Sequence, residues 1–202
     1  MSIINTGSEV INLLLNGGLR IHTITNIFGT SATGKTQLCF QLSANAAKDN
    51  LKVYYIDTLN NFRPERIIDI LDDKDNKALD NIYVIKPLGV YDAIRVINNI
   101  DNAKVLIIDD ISELFLDREN IVRDIILFMH KLLVCALKYD IAIMFTNKIT
   151  FNYQQKFDKF ITRFIHYKVM LSKYNGIFIA KLLHPTEDIV YYKISRKGLE
   201  II

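Results

Sequence analysis

Apolar residues recur along this chain in two alternating rhythms. Short dense runs at 21–28, 52–57, 82–86, 104–109 and 141–146, rich in Ile, Val, Tyr and Phe, predict β-strands. Between them, residues 36–49, 64–73, 91–100 and 118–138 carry helical spacing, with Pro64 at a first helical position, where its missing N–H costs nothing. Ahead of these, Thr6 with Glu9 three residues on fits a capping box. The helix it opens would place Val10, Leu13 and Leu14 on one face and end at Gly17-Gly18. Strands and helices alternating through short connections predict a mostly parallel sheet flanked by helices. Past Phe151 the rhythm changes to a short helical segment and strand-like runs at 167–172, 177–183 and 189–194. Two of these flank Asn175-Gly176, a hairpin pair, so antiparallel C-terminal strands are expected.

Composition narrows the class. At 202 residues, half of them hydrophobic, the chain suits a single domain over 1–202 and excludes disorder. Gly7, Ser8, Glu9 and Asn12 break the early apolar run, and no apolar stretch of about 18 residues is present, so a cytoplasmic protein with no membrane partner is expected. Cys39 and Cys135 stand far apart in helix-like apolar runs and read as buried structural thiols. His22, His130, His166 and His184 are equally scattered, which argues against a metal held by His.

The net charge of +3 is too small to announce a nucleic-acid binder, but it is unevenly spread. Seven acids and three bases lie between Asp101 and Asp124, against six bases and one acid from Lys148 to Lys173.

The strongest chemical signal is GTSATGKT, Gly29 to Thr36, which fits G-x-x-x-x-G-K-[ST] between a predicted strand and a predicted helix. Backbone N–H groups of such a loop cradle phosphates; Lys35 would reach the β- and γ-phosphates and Thr36 would offer its hydroxyl to Mg²⁺. KVLIIDD, Lys104 to Asp110, is a buried-strand pattern ending in acid, where a P-loop site holds its metal, so Asp109 is the second candidate metal residue. ATP and Mg²⁺ are the expected ligands.

Together INTGSEVINLLLNGGLRIHTITNIFGTSATGKTQLCFQL, YIDTLNNFRPERI, LIIDD, FTNK and KISRKGLEII resemble, in this order, the RecA/RadA recombinase family, most closely its archaeal RadA paralogues of the RadB and RadC type. The resemblance covers nearly the whole chain and implies a RecA-like P-loop NTPase core without a separate N-terminal helical domain. It implies nucleotide contacts from Gly29, Thr30, Ser31, Ala32, Thr33, Gly34, Lys35, Thr36 and Gln37, with Arg66 stacked on adenine. Read from the sequence alone, a helix-surface arginine paired to a carboxylate is the favoured reading of Arg66.

Two positions depart from the family pattern. Leu59 stands where the family has a glutamate that activates the attacking water, and Lys148 where it has a glutamine that senses the γ-phosphate. A positioned base contributes about 10²–10⁴-fold, so slow hydrolysis with intact ATP binding is expected. Asp110, beside Asp109, is the candidate replacement base, although Asp is a methylene shorter than Glu. With Lys35 and Lys148 it completes the candidate catalytic set.

The resemblance places a DNA loop at ITFNYQQKFDKFITRFIHYK, where Lys156, Lys159, Arg163 and Lys168 interleave with aromatics. The same spacing also describes an amphipathic helix with a buried aromatic face and a wet basic one. The other family loop is shortened here to the acidic ISELFLDREN. The implied role is an ATP-binding accessory or regulator of recombination and repair, nucleoid-associated and oligomeric with a RecA/RadA-like recombinase or another paralogue, in reach of single-stranded DNA. The alternative is an autonomous DNA-dependent ATPase or strand-exchange enzyme using Asp110 or a neighbouring subunit's residue.

Overall fold

The fold is a computed structural model and is described for residues 2–71, 77–115, 120–149 and 158–202. A two-stranded ribbon of β1 (Ile3–Ile4) and β2 (Leu19–Arg20) brackets helix α1 (Glu9–Leu14). The rest is built on one nine-stranded sheet. Its central parallel part comprises β3 (Ile24–Gly29), β4 (Val53–Asp57), β5 (Ile82–Ile85), β6 (Val105–Asp109), β7 (Ala142–Lys148) and β8 (Tyr167–Tyr174). Antiparallel strands β9 (Ile177–His184), β10 (Asp188–Ser195) and β11 (Gly198–Ile201) complete one side. The spatial order is β11-β10-β9-β8-β3-β7-β6-β4-β5.

Strand alternation assigns side chains to two cores. Along β6, Val105 and Ile107 face one layer and Leu106 and Ile108 the other. The first layer holds α1, α2 (Lys35–Lys48) and α3 (Pro64–Leu71); the second holds α4 (Val90–Asn98), α5 (Ile121–Tyr139) and α6 (Asp158–Ile161). Because both faces are covered, β3, β6 and β7 read as near-continuous apolar runs.

The predicted strands and the helices between them all form, and α3 does begin at Pro64. Asn175 and Gly176, at φ of 49° and 85°, make the expected tight turn between β8 and β9. Three expectations need correction. The capping box does not form: Ser8 is the N-cap, and the Thr6 hydroxyl turns instead to Asn12 Oδ1 at 2.8 Å. Leu13 is 57% exposed, and Ile11 takes its place beside Val10 and Leu14 in the core. The run at 21–28 is divided, because His22 takes a positive φ of 66° and pairs with Asp140, so the central strand starts at Ile24. A fourth late strand, β11, was not foreseen.

The antiparallel strands support the start of α2. The buried Tyr192 hydroxyl of β10 donates to the Thr33 carbonyl at 2.7 Å, 159 positions back along the chain. Tyr192→Phe keeps the ring and orphans that carbonyl, so the urea midpoint should fall by the equivalent of about 1–3 kcal/mol; an unchanged midpoint would show that another donor takes over.

Candidate nucleotide-binding site

The carboxyl ends of β3, β4, β6 and β7 open onto a cavity of about 440 Å³. One wall is the loop from Ser31 to Gln37; the other is Leu59, Asn61, Asp109, Asp110 and Lys148. Gly34, at φ +90°, turns the chain into α2. The first turn of α2 therefore begins at the cavity wall, and the N–H groups of a first helical turn have no intrahelical partners. Lys35 lies back along the loop, donating to the carbonyls of Gly29 at 2.9 Å and Thr30 at 2.8 Å. Burial lowers its pKa, partly offset by Asp110 and Asp109.

Opposite the loop, three carboxylates leave adjacent strand ends and meet different surroundings. Asp57 accepts from the Asn61 N–H at 3.0 Å and the Phe62 N–H at 2.9 Å, closing the turn that carries Leu59. Thr58 ties that turn to β6, its N–H donating to the Asp109 carbonyl at 3.0 Å and its hydroxyl accepting from the Asp110 N–H at 2.8 Å. Asp109 accepts from the Thr146 hydroxyl and from Tyr55 Oη at 3.2 Å. Two neutral donors fix its orientation, the arrangement that suits a carboxylate facing a divalent cation.

Asp110 differs again. Its Oδ1 accepts from the N–H and the hydroxyl of Ser112, both at 2.8 Å, whereas Oδ2 is buried with no hydrogen-bond partner. Burial pushes its pKa up to about 6, against the pull of the Ser112 bonds and Lys148. Lys148 extends from the end of β7 and pairs with Glu113 Oε1 at 2.8 Å. The donor set fits a polyphosphate with a divalent cation: a loop with free N–H groups, Lys35 and Thr36 on one wall, an oriented Asp109 and an orphaned carboxylate oxygen on the other.

The sequence-predicted residues thus fall into two groups. Ser31 to Gln37, Asp109, Asp110, Lys148 and Leu59 line one cavity. Arg66 stands beside it, reaching Gln37 Oε1 and the Arg196 carbonyl, each at 3.0 Å, while Asp69 accepts from its other nitrogen. Among the described residues beyond Lys148, none of the basic segment lines the cavity. Lys159 and Arg163 are exposed, while Phe160 and Phe164 pack against the second core, as the amphipathic reading expects. Lys168 is only 16% exposed and bonds Asp158 at 2.6 Å, tying β8 to α6. Phe151, Tyr153, Lys156, Phe157 and the end of the acidic loop, 116–119, lie outside the described residues.

Sequence reasoning missed the supporting groups Tyr55, Asp57, Thr58, Ser112, Glu113 and Thr146. The available signal was a polar residue inside an apolar strand run, as Tyr55 and Thr146 are, because a buried hydroxyl must find a partner. Both cysteines are buried, as expected, and burial pushes the Cys39 thiol well up and Cys135 up to about 11. Among the described residues no cluster of three or more His, Cys, Asp or Glu could hold a metal. No described helix is long and apolar enough to cross a membrane.

The Rad51 family model matches residues 1–163 of this sequence. The chain belongs to the Rad51 family. Within it, this Rad51-family chain is 33% identical over 170 residues to the DNA repair and recombination protein RadA of Aeropyrum pernix, a match covering 72% of this chain and 53% of that one. It is 28% identical over 221 residues to the DNA repair and recombination protein RadB of Thermococcus sibiricus, covering 99% and 96%. The chain therefore spans about half the length of the RadA relative and nearly all of the RadB relative. In structure it matches a crystal structure of the RadB recombinase with a TM-score of 0.82 at 24% identity over 99% of this chain and 100% of that one. That likeness shows the RecA-like fold, a mostly parallel sheet with antiparallel C-terminal strands.

The Asp110 carboxyl makes the site costly to stability. Its folded pKa lies above its ordinary 3.8, so the native state holds the proton more tightly than the unfolded chain and stability falls as pH rises from about 4 to about 6. The rise corresponds to at most about 3 kcal/mol. Asp110→Asn should therefore be more stable than the wild type at pH 8 by about 1–3 kcal/mol, with the advantage fading below pH 4. Parallel urea-midpoint profiles across that range would contradict this.

Proposed function

We propose that this chain is an ATP·Mg²⁺-binding accessory or regulatory member of the recombinase family, acting in homologous recombination and DNA repair with a RecA/RadA-like recombinase or another paralogue. The observation that carries the reading is the unequal endowment of one cavity: its phosphate and cation groups are complete, but Leu59 occupies the wall where water would be activated. Leu59 can neither accept a proton nor orient water. The turn carrying it is clamped by part-buried hydrogen bonds to Asp57 and Thr58, which hold Leu59 on that wall.

Each residue contributes a separable effect. The loop N–H groups and Lys35 hold the phosphates, Thr36 and Asp109 hold the cation, and Tyr55 and Thr146 keep the Asp109 carboxylate aimed. The bound cation would neutralise charge between the terminal phosphates. Arg66, fixed by Gln37 at the margin of the cavity, offers a flat guanidinium to an adenine face. ATP then serves chiefly as a bound effector, with assembly on a partner as the output. Lys159 and Arg163 offer exposed charge to a single strand, weakly and without sequence preference.

Asp110 favours a second reading, an autonomous ATPase, because its Oδ2 is buried and free of hydrogen bonds at the same cavity.

Lys35→Ala should abolish ATP·Mg²⁺ binding measured by equilibrium dialysis; equal affinity in wild type and variant would sink the reading. Single-turnover hydrolysis should be slow in the wild type and rise in Leu59→Glu by at least about tenfold, toward the roughly 10²–10⁴-fold worth of a positioned base. An ordinary wild-type rate that Asp110→Asn abolishes would hand the role to Asp110 and the protein to the second reading.

A further inference from the structure

An antiparallel sheet with one covered and one open face reads apolar inward and polar outward. The outer strands of this sheet break that rule. Val169 and Leu171 on β8, Ala180 and Leu182 on β9 and Tyr192 on β10 belong to the first core, so strand alternation turns their neighbours to the opposite side. There Tyr174, Ile177, Ile189 and Tyr191 are exposed and Ile179 is half-buried, and none of the five is in either core. The register joins them into one patch. Tyr174 stands opposite Ile177 across β8 and β9, and Ile179 opposite Tyr191 across β9 and β10, with such pairs about 5 Å apart. The second-layer helices pack over β6, β7 and β3 and leave this side of β9 and β10 open. Three strands of eight residues are about 27 Å long and about 14 Å wide together, a footprint of roughly 400 Å². Contiguous apolar patches of that order are commonly contact surfaces.

The charges around the patch select what fits it. Lys181 pairs with Glu187 at 3.1 Å toward one end, and Lys193 pairs with Glu200 at 3.6 Å toward the other. Each pair has one freer member: Glu187 is 73% exposed against 29% for Lys181, and Lys193 61% against 36% for Glu200. The freer charge is thus negative just ahead of β10 and positive near its far end. A partner carrying one sign would be repelled at one of these ends. A second copy is not, if it is turned over by a two-fold axis that lies in the interface and runs across the strands. That operation brings Glu187 of one copy to Lys193 of the other, twice, and lays β10 on β10 with Ile189 and Tyr191 beside the axis. We infer that the outer face of β8, β9 and β10 docks a second copy of this chain, sheet against sheet, in a symmetric dimer. The footprint is about half of the roughly 800 Å² that each partner gives to a standard interface, so the dimer is weak and concentration-dependent. None of these residues lines the nucleotide cavity, so the pairing leaves that cavity open and needs no nucleotide.

Sedimentation equilibrium of the nucleotide-free full chain tests this. The wild type should pass from monomer to dimer over a concentration range on the order of 1–100 μM. Tyr191→Lys should weaken the dimer by at least about tenfold, as expected of a central aromatic anchor, and leave the urea midpoint unchanged because the side chain lies outside both cores. Lys193→Glu and Glu187→Lys should each weaken it by about three- to tenfold, in line with two exposed ion pairs. The two substitutions together should restore the wild-type dimer, since the reversed charges still match across the axis; this arm stands even if Tyr191→Lys fails to fold. A wild type that is monomeric throughout that range, an undiminished dimer in Tyr191→Lys, or a double reversal as weak as the single ones would each overturn the inference. If the wild type is monomeric and Tyr191→Lys loses co-sedimentation with a RadA-type recombinase, the face belongs to that protein instead.

Discussion

A Cβ at position 29 would lie 2.1 Å from the Leu171 carbonyl oxygen, nearer than any side chain tolerates. Only glycine lets β3 run flush against β8 at this point, and β3 is the strand from which the phosphate loop leaves the middle of the sheet. The other wall is referred to the same residue: Lys148 is its register partner on β7, and Lys35 bonds its carbonyl. Two groups of the cavity are thus placed relative to backbone packing at one point. An alanine there would force β8 outward and with it the antiparallel strands that support the loop.

Three acids at one sheet end would repel if they were treated alike, and the surroundings separate them. Asp57 takes two backbone donors and becomes a structural clamp; Asp109 takes two hydroxyls and stays oriented; Asp110 is half satisfied and is pushed toward its neutral form. The same residue type therefore closes a turn, stands oriented on the cavity wall and is left half satisfied. Such local destabilisation is common where a site is arranged for a ligand rather than for the empty fold.

The alternating rhythm of the chain made the parallel sheet and its helices legible, because a strand buried on both faces and a two-faced helix leave different apolar spacings. Gly29 to Thr36 and Asp109 stood out for a chemical reason, because a phosphate-loop motif demands particular residues at particular places, and the structure brings Ser31 to Thr36 and Asp109 onto one cavity. The α1 capping box misled because Thr6 and Glu9 have the right spacing in a segment where Asn12 and the Ser8 carbonyl compete for the Thr6 hydroxyl. β11 escaped notice because Gly198 to Ile201 is too short to show a period. The groups around Asp109 lay hidden for a deeper reason. Tyr55 and Thr146 sit 91 positions apart, and nothing in either local run says that both will point at the same carboxylate.

The bond from Tyr192 to the Thr33 carbonyl also orders events in time. During synthesis the phosphate loop leaves the ribosome long before its buttress, with 159 positions between them. Until β10 arrives and docks beside α2, the loop's rear carbonyl faces water and its first helical turn lacks a wall. A nascent chain can therefore lay down β3 and α2 early yet gain its finished cradle only when the last strands close. The loop thus gains its rear support in a late step, and a ribosome stalled before Tyr192 would display a loop with the right sequence and an incomplete shape.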